Sequence, residues 1–525
     1  MNGSPALRWG ALWAGVSGGL LALAFPDADI GALAFVALVP FLLSLRGAGG
    51  PSALARGYAC GAVFFTALLY WIPGVMVTYG GMPVALAWFI FALLVLYLAS
   101  YVASFALLLA TSWARLGTAA VATAPVLWVA LEILRARLLT GFPWGLIGYS
   151  QYRDIPLLQV SAWGGIYAVS FLVVAANAGV TLLALAPGSR RHLVTGACLV
   201  LLAAVAWEGG LVCLHAARGW PEGPPIAAAA IQGNVAQDRK WTEGSGETIL
   251  ADLVRLSREA GASGARLIVW PESSSPYSFR RLVAADARGL TVVEDETYSR
   301  VVRDLARSLG ATLIVGSVDY RIAGGTPRVF NSAFAVGADG ALGVPYDKSH
   351  LVPFGEYVPL HRLLFFVDKL AQGTISDFTP GRSAVPLDTS VGRAATLICY
   401  EAIFPELVRR VASADADFLV NITNDAWFGR TSAPRQHLAM AAVRAAENRR
   451  WLVRAANTGI SAFVDPYGRI EDSTPIMQSA VLRGTVRSRG DRTPYAACGD
   501  VFAWGCAILT LLQCAALRAA FARRG

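Results

Sequence analysis

Charge is scarce in this chain. Of its 525 residues, 15% are charged and 55% hydrophobic, whereas soluble domains carry about 25% charged residues. That deficit excludes a disordered chain and an ordinary cytosolic enzyme. The length excludes a single small domain. Lysine is almost missing: Lys240, Lys348 and Lys369 stand against 41 arginines. The net charge of +9 is loop charge without the one-sided clustering that nucleic acid requires, so no nucleic-acid partner is expected. The five histidines show no metal-ligand spacing, and neither a metal nor a cofactor is expected.

Long apolar runs are what the chain does have. Runs long enough for ~30 Å of hydrocarbon fall near 9–25, 30–45, 56–76, 83–111, 119–138, 160–186, 193–214 and 496–517. They predict a polytopic α-helical membrane bundle of about eight spans, seven before a long polar insert and one after it. The first run lacks a cleavage pattern and is expected to stay. Residues 1–223 hold ten Arg, no Lys and six acidic residues. Most of the charge therefore lies beyond them, in a different solvent. Short-loop arginines favour cytoplasmic N- and C-termini, with the insert outside the cytoplasm. Arg135 and Arg137 fit this poorly. They mark either a headgroup contact or the frayed end of the fifth run. Glu132 and Glu208 are the only acidic residues in or near spans. The domains read as 1–223, 224–489 and 490–525.

Within 224–489, strand-like runs at Ile226–Ile231, Leu267–Trp270, Leu313–Val318, Val329–Val336, Thr396–Ile398, Phe418–Ile422, Trp451–Arg454 and Ser461–Val464 alternate with helical stretches. The helices are Thr248–Ala260, Tyr298–Leu309, Pro405–Ala412 and Gln436–Arg449. This alternation predicts an α/β domain of sheets covered by helices. Residues 353–382, with Phe354, Phe365, Phe366 and Phe378, predict an apolar lid.

Cys399 is the only thiol of that insert; the other six cysteines lie in or beside apolar runs. A lone thiol in an oxidising compartment is either used or deeply buried. It stands where an apolar strand ends and the chain turns toward a helix, a setting that collects reactive groups and favours a thiolate. Glu272 and Lys348 also close strand-like runs. Each alone reads as well as a solvated loop residue, and His350 is a rival base to Lys348.

Together these residues carry a resemblance. Glu272 in Trp-Pro-Glu, Lys348 ahead of Leu-Val-Pro-Phe-Gly-Glu356, and Cys399 in Ile-Cys-Tyr-Glu401 resemble the Glu-Lys-Cys triad of the nitrilase superfamily. The Gln436-His437-Leu438 helix running to Glu447, and Ala-Asn457-Thr-Gly459, match its pattern too. Gln232-Gly-Asn234 with Lys240-Trp241, Asn424-Asp-Ala-Trp427, Gly141-Phe-Pro-Trp144 and Gly148-Tyr-Ser-Gln151 are similar to its membrane-embedded branch, the bacterial apolipoprotein N-acyltransferases.

The resemblance implies an αββα sandwich on the periplasmic side of the inner membrane. It implies transfer of the sn-1 acyl chain of a phospholipid to the α-amine of the diacylglyceryl-cysteine of a lipoprotein. Cys399 would be the nucleophile of a thioester pathway, Glu272 the base with a pKa raised by burial, and Lys348 the oxyanion donor. Glu356 and Glu401 would orient Lys348. Trp241, Tyr400, Trp427 and Asn331 are the candidates for lining the substrate path, and Gly141–Gln151 for the floor of the site. A monomer is expected. Two rivals stay open: a membrane-tethered amidase or nitrilase, and a polytopic transporter or receptor with an external binding domain.

Overall fold

The computed structural model describes residues 5–185, 188–240, 242, 244–285, 289–357 and 378–522. The chain divides into two compact units: Met1–Pro73, Val84–Trp220 and Thr493–Gly525 form one, and Gly74–Pro83 with Pro221–Arg492 the other.

The first unit is helical. Among the described residues, four helices are long and apolar enough to cross a membrane: Val84–Arg135, Ser161–Leu185, Arg190–Ala216 and Val501–Ala519. The bent pair Gly50–Leu68 and Ile72–Thr78 makes a fifth if counted as one span, while Trp9–Leu23 and Gly31–Ser44 are apolar but shorter. The fourth and fifth predicted runs correspond to Val84–Arg135, where a short 3-10 helix at Gly117–Thr123 joins two helices. Large apolar side chains stay exposed along two of these helices, among them Val205, Val212, Ile508 and Leu511.

Several buried polar side chains of this unit hold backbone groups that lack a helical partner. Asn177, fully buried, donates to the carbonyls of Ala34 (2.7 Å) and Val173 (2.8 Å) and accepts from Leu38 N–H (2.8 Å). Glu132 is buried and accepts from Trp128 Nε1 (3.0 Å) and Ile147 N–H (2.8 Å). Arg135 is neither a headgroup contact nor a frayed end. It is buried and donates to the carbonyls of Phe142, Trp144 and Gly145 at 3.0, 2.6 and 3.2 Å. Its fork thus satisfies a non-helical turn that has no ladder of its own. Arg137 pairs with Asp500.

The second unit carries two six-stranded sheets and a hairpin. Strands β1 (Pro225–Gln232), β2 (Leu267–Val269), β5 (Thr312–Ala323), β6 (Thr326–Val336), β7 (Tyr346–Asp347) and β14 (Ala480–Arg487) form one, in the order β14-β1-β2-β5-β6-β7. The other runs β13-β12-β11-β10-β9-β8, with β8 Leu387–Thr389, β9 Gly392–Ile398, β10 Phe418–Thr423, β11 Leu452–Ala456, β12 Ala462–Val464 and β13 Ile470–Ser473. β3 (Arg280–Ala285) and β4 (Gly289–Glu294) make the hairpin. The central strands β1-β2-β5 and β9-β10-β11 are parallel. Buried on both faces, they read as continuous apolar runs rather than alternation.

Helix Ser245–Ala262 presents Ile249, Leu253 and Leu256, and helix Glu296–Leu309 presents Val302 and Leu305. This spacing puts one apolar stripe on each helix. The stripes cover Ile268, Leu313 and Phe334 of the first sheet. Each such side chain contributes roughly 1.5–3 kcal/mol when fully buried. The two sheets meet at β1 and β11. Gln232, fully buried at the end of β1, ties them: its amide donates to the carbonyls of Pro475 and Gln478, and its oxygen accepts from Ser461 and Thr474 hydroxyls.

Candidate active site

The first carboxylate is delivered by the end of β2. Trp270, fully buried, anchors there through Trp270 N–H to the Ile314 carbonyl (2.8 Å) and Nε1 to Ser257 Oγ (2.8 Å). The chain then turns tightly over β5. A Cβ at Gly316 would stand 2.2 Å from the Pro271 carbonyl oxygen and 2.7 Å from Glu272 Cα, so only glycine lets the turn lie this close. Glu272 is left 6% exposed and accepts from three donors. Its Oε1 accepts from Asn331 Nδ2 (2.7 Å) and Lys348 Nζ (3.2 Å), and its Oε2 from Asn424 N–H (3.0 Å).

Lys348 follows β7, and its N–H donates to the Asn331 carbonyl (2.8 Å). Its ammonium, 1% exposed, donates to Glu272 Oε1 and to Glu356 Oε1 (2.9 Å). Glu356 Oε1 also accepts from Asn331 Nδ2 (3.0 Å), and its Oε2 from Val352 N–H (2.8 Å). Both partners of Asn331 Nδ2 are carboxylates, which fixes the amide orientation. Asn331 therefore clamps the two carboxylates rather than lining an open path.

Cys399 comes directly after β9 and has φ +53°. A left-handed non-glycine residue stores strain on the order of 1–3 kcal/mol, and such strain collects at functional sites. His437 Nε2 lies 3.1 Å from the Cys399 carbonyl oxygen, while Asp425 Oδ1 and Arg454 Nη2 each lie 3.1 Å from His437 Nδ1. Since a carbonyl only accepts, Nε2 carries the proton. Burial and Arg454 lower the His437 pKa, keeping the ring neutral.

Glu401, fully buried, never touches Lys348. Its Oε1 accepts from Tyr346 OH (2.9 Å), Ser349 N–H (2.7 Å) and Ser349 Oγ (2.8 Å), and its Oε2 from Ile398 N–H (2.8 Å). It thereby laces the chain on both sides of Lys348 to the residue before Cys399. Burial raises its pKa, against the opposing pull of these donors.

The electrostatics correct two expectations. Burial alone would push Glu272 up, but Lys348, the Asn331 amide and Lys240 outweigh it and hold the carboxyl below its usual range. The Cys399 thiol moves up, through burial and the Glu272 charge, with Lys348 opposing. Burial disfavours the Lys348 ammonium, yet Glu272, Glu356 and Cys399 carry its pKa well above the ordinary lysine value. The resting cluster is a carboxylate, an ammonium and a neutral thiol. The nearby turn does not make a thiolate.

His350 is not a rival base. Its ring packs at a tilt against Phe404 with centroids 3.8 Å apart, and burial and Lys348 lower its pKa to about 4. Tyr400 is half-buried and packs edge-on against Phe404. Trp427 is 37% exposed and meets Tyr79 edge-on, while Tyr79 OH donates to the Ala426 carbonyl (3.0 Å). Trp241 lies outside the described residues, as do residues 358–377 of the predicted lid with Phe365 and Phe366. Of the rest of that stretch, Phe354 is exposed and Phe378 N–H donates to the Glu356 carbonyl (3.1 Å).

The sequence reading gave no role to Asn424, Asn457, Gln237, Asp425 or Arg454. Asn424 Nδ2 donates to Gln237 Oε1 (2.7 Å) and its Oδ1 accepts from Asn457 Nδ2 (2.9 Å). Asn424 and Asn457 stand in motifs of the family pattern, but nothing in those motifs signals a backbone N–H aimed at Glu272. Among the described residues no group of three or more His, Cys, Asp or Glu could hold a metal ion.

A two-sheet α/β domain with a buried carboxylate, ammonium and thiol at neighbouring strand ends defines a class, the carbon-nitrogen hydrolases, whose family model matches residues 227–487. Residues 17–179 match the apolipoprotein N-acyltransferase N-terminal domain. An apolipoprotein N-acyltransferase of Geobacter metallireducens is 42% identical over 503 residues, covering 94% of this chain and 92% of the relative. One of Pseudomonas aeruginosa is 37% identical, covering 93% of each. A carbon-nitrogen hydrolase structure from Helicobacter pylori aligns at 19% identity with TM-score 0.36, covering 50% of this chain and 88% of that one. The chain belongs to the apolipoprotein N-acyltransferase family.

Proposed function

We propose that the chain is an acyltransferase. It moves the sn-1 acyl group of a membrane phospholipid to the α-amine of a lipoprotein's N-terminal diacylglyceryl-cysteine, through a thioester on Cys399. The observation that carries this reading is the strained Cys399 within electrostatic reach of the paired Glu272 and Lys348. Residues 1–223 and 490–525 supply the membrane spans, seven and one. Residues 224–489 form the catalytic domain on the periplasmic side, and both termini are cytoplasmic. Apolar side chains left exposed along Arg190–Ala216 and Val501–Ala522 support a lipid surround.

Because the thiol rests neutral, its deprotonation is coupled to attack. Cys399 Sγ bonds to the ester carbonyl carbon as its proton passes to the Glu272 carboxylate. The carbonyl π pair moves onto oxygen. Lys348 has three N–H donors, and Glu272 and Glu356 take two. The third remains for the oxyanion, a donor typically worth about 3 kcal/mol. Tyr400 N–H is a second donor. It opens a helical turn, where N–H groups lack a partner within the turn. Its peptide is shared with the Cys399 carbonyl that His437 holds, so a planar trans bond points it the opposite way. Collapse breaks the C–O bond, and the lysophospholipid oxygen leaves with the proton from Glu272. The lipoprotein amine then attacks the thioester and gives a proton to Glu272. Amide forms, the C–S bond breaks, and sulfur recovers the proton. Splitting one transfer into two lets each substrate use one site in turn.

The test uses purified full chain in phospholipid micelles labelled in the sn-1 chain. Intact mass is expected to show one acyl adduct on the wild type and none on Cys399→Ala. Hydroxylamine should remove it, and a diacylated lipopeptide amine should accept it. No adduct, with ammonia released from small amides, would make the chain a tethered amidase. Neither activity from folded protein would favour the binding or transport reading.

A further inference from the structure

A second ammonium stands beside the cluster with nothing to hold. Lys240 ends the short helix Gln237–Lys240 and is 1% exposed. Its Nζ has no hydrogen-bond partner among the described residues. A buried charge without an acceptor is costly and is retained when something completes it. Its position relative to the cluster follows from the helix. Gln237 and Lys240 are three apart and share a face. Gln237 Oε1 accepts from Asn424 Nδ2, and Asn424 N–H donates to Glu272 Oε2.

Glu272 is within electrostatic range of Lys240 but does not complete it. That carboxylate already accepts from Lys348, Asn331 and Asn424. A carboxylate has about four acceptor positions, and the fourth is needed for the thiol proton. The burial of Lys240 does not set it apart from the reaction, since Lys348 is equally 1% exposed.

Resting on the acyl-transfer reading above, the reaction itself supplies a candidate anion. Glu272 hands its proton to the leaving glycerol oxygen, so that oxygen stands at Glu272. The phosphodiester of a glycerophospholipid lies a few bonds further along the same glycerol, close to the carboxylate but not upon it. The second substrate brings a neutral amine, which offers no negative charge to pair with an ammonium. We propose that Lys240 is the binding group for the phosphodiester of the acyl donor, leaving Lys348 to serve the oxyanion.

The experiment compares two acyl donors with identical chains, phosphatidylglycerol and 1,2-diacylglycerol, in the same detergent micelles. The readout is the rate of adduct formation on Cys399 in the full chain. For the wild type, Lys240→Gln and Lys240→Arg, the ratio of the phospholipid rate to the diacylglycerol rate is measured. A lost charge-assisted bond predicts that Lys240→Gln lowers this ratio roughly 10- to 100-fold. Lys240→Arg should keep it within a few-fold. An unchanged ratio overturns the proposal. So does an equal loss with both donors, since the ammonium would then serve Glu272 or the fold. A wild type forming no adduct from either donor would instead refute the acyl-transfer reading. Inorganic phosphate that slows the wild type but not Lys240→Gln would support an anion site open to the free ion. No effect of phosphate alongside a lowered ratio would assign the site to the lipid's phosphodiester.

Discussion

Replacing Glu356 by glutamine tests how far the oxyanion donor depends on its second carboxylate. Glu356 accepts from three donors: Lys348 Nζ at 2.9 Å and Asn331 Nδ2 at 3.0 Å on Oε1, and Val352 N–H at 2.8 Å on Oε2. Glutamine has nearly the same shape but only one oxygen. If its amide group faces Lys348, two donors meet a donor. The better orientation keeps the oxygen there and abandons Val352 N–H. Even then the bond to Lys348 drops from charge-assisted to neutral, and one buried N–H is left unpaired. Each change costs about 1–3 kcal/mol. Part of this falls on the fold and part on the acylation barrier. An increase of about 2 kcal/mol in that barrier slows acylation roughly 30-fold. The assay is single-turnover formation of the Cys399 adduct, normalised to the folded fraction from a thermal melt. A normalised rate within twofold of wild type would refute the argument that Glu356 holds Lys348 for the oxyanion.

Four further outcomes are expected. The acid limb of the acylation pH profile should lie below the ordinary glutamate value of 4.5, because its neighbours outweigh burial and depress Glu272; a limb near neutrality would contradict this. The same depression stabilises the fold above the unfolded-state pKa, and that contribution is lost as pH falls through the lowered value. With phospholipid donor a basic limb near 8 should also appear, where burial sets Lys240 and the ammonium loses its charge; its presence with diacylglycerol as well would refute the phosphodiester assignment. His437→Ala should slow acylation roughly tenfold through the freed Cys399 peptide. His437→Gln should recover part of the rate, and recovery of stability without rate would refute the positioning role. Gln232→Leu leaves the Ser461 and Thr474 hydroxyls and two carbonyls without this partner, and should lower domain stability by at least about 3 kcal/mol in denaturant titration.

Much of the catalytic domain was legible because its chemistry sits where apolar runs stop. Leu267–Trp270 and Thr396–Ile398 are uninterrupted apolar or β-branched segments, Phe418–Ile422 is broken only by Asn421, and each meets a strand. The hairpin β3–β4 escaped notice because Arg280, Arg281 and Glu294 break any apolar pattern. Strand β14 was hidden for a different reason: it pairs with β1 across the whole length of the domain, and local periodicity carries no long-range pairing. The segment Gly74–Pro83 packs with the catalytic unit through Tyr79 and Trp427, yet it lies between the apolar runs 56–76 and 83–111 and overlaps both, so hydropathy does not set it apart. Arg135 was legible as misplaced charge but not as a staple. The carbonyls it holds belong to a turn whose backbone geometry no hydropathy reveals.

The pKa of the site was the least legible feature, and the reason is general. Burial by itself would raise Glu272, but its actual direction depends on how many donors reach the same two oxygens. Sequence cannot place Lys348 Nζ and Asn331 Nδ2 there at once, with the Lys240 charge nearby. Once placed, they reverse the sign. The reversal has a chemical consequence. A base must be ionised to accept, and Glu272 is held ionised; a thiol exposed to oxidants is safest when protonated, since the thiolate is the reactive form. In the proposed periplasmic setting Cys399 has no cysteine partner within its domain to protect it. Keeping the proton on sulfur until an ester carbonyl arrives gives the chain a nucleophile that is inert at rest. The proton then needs to move only to a carboxylate already aligned by three donors.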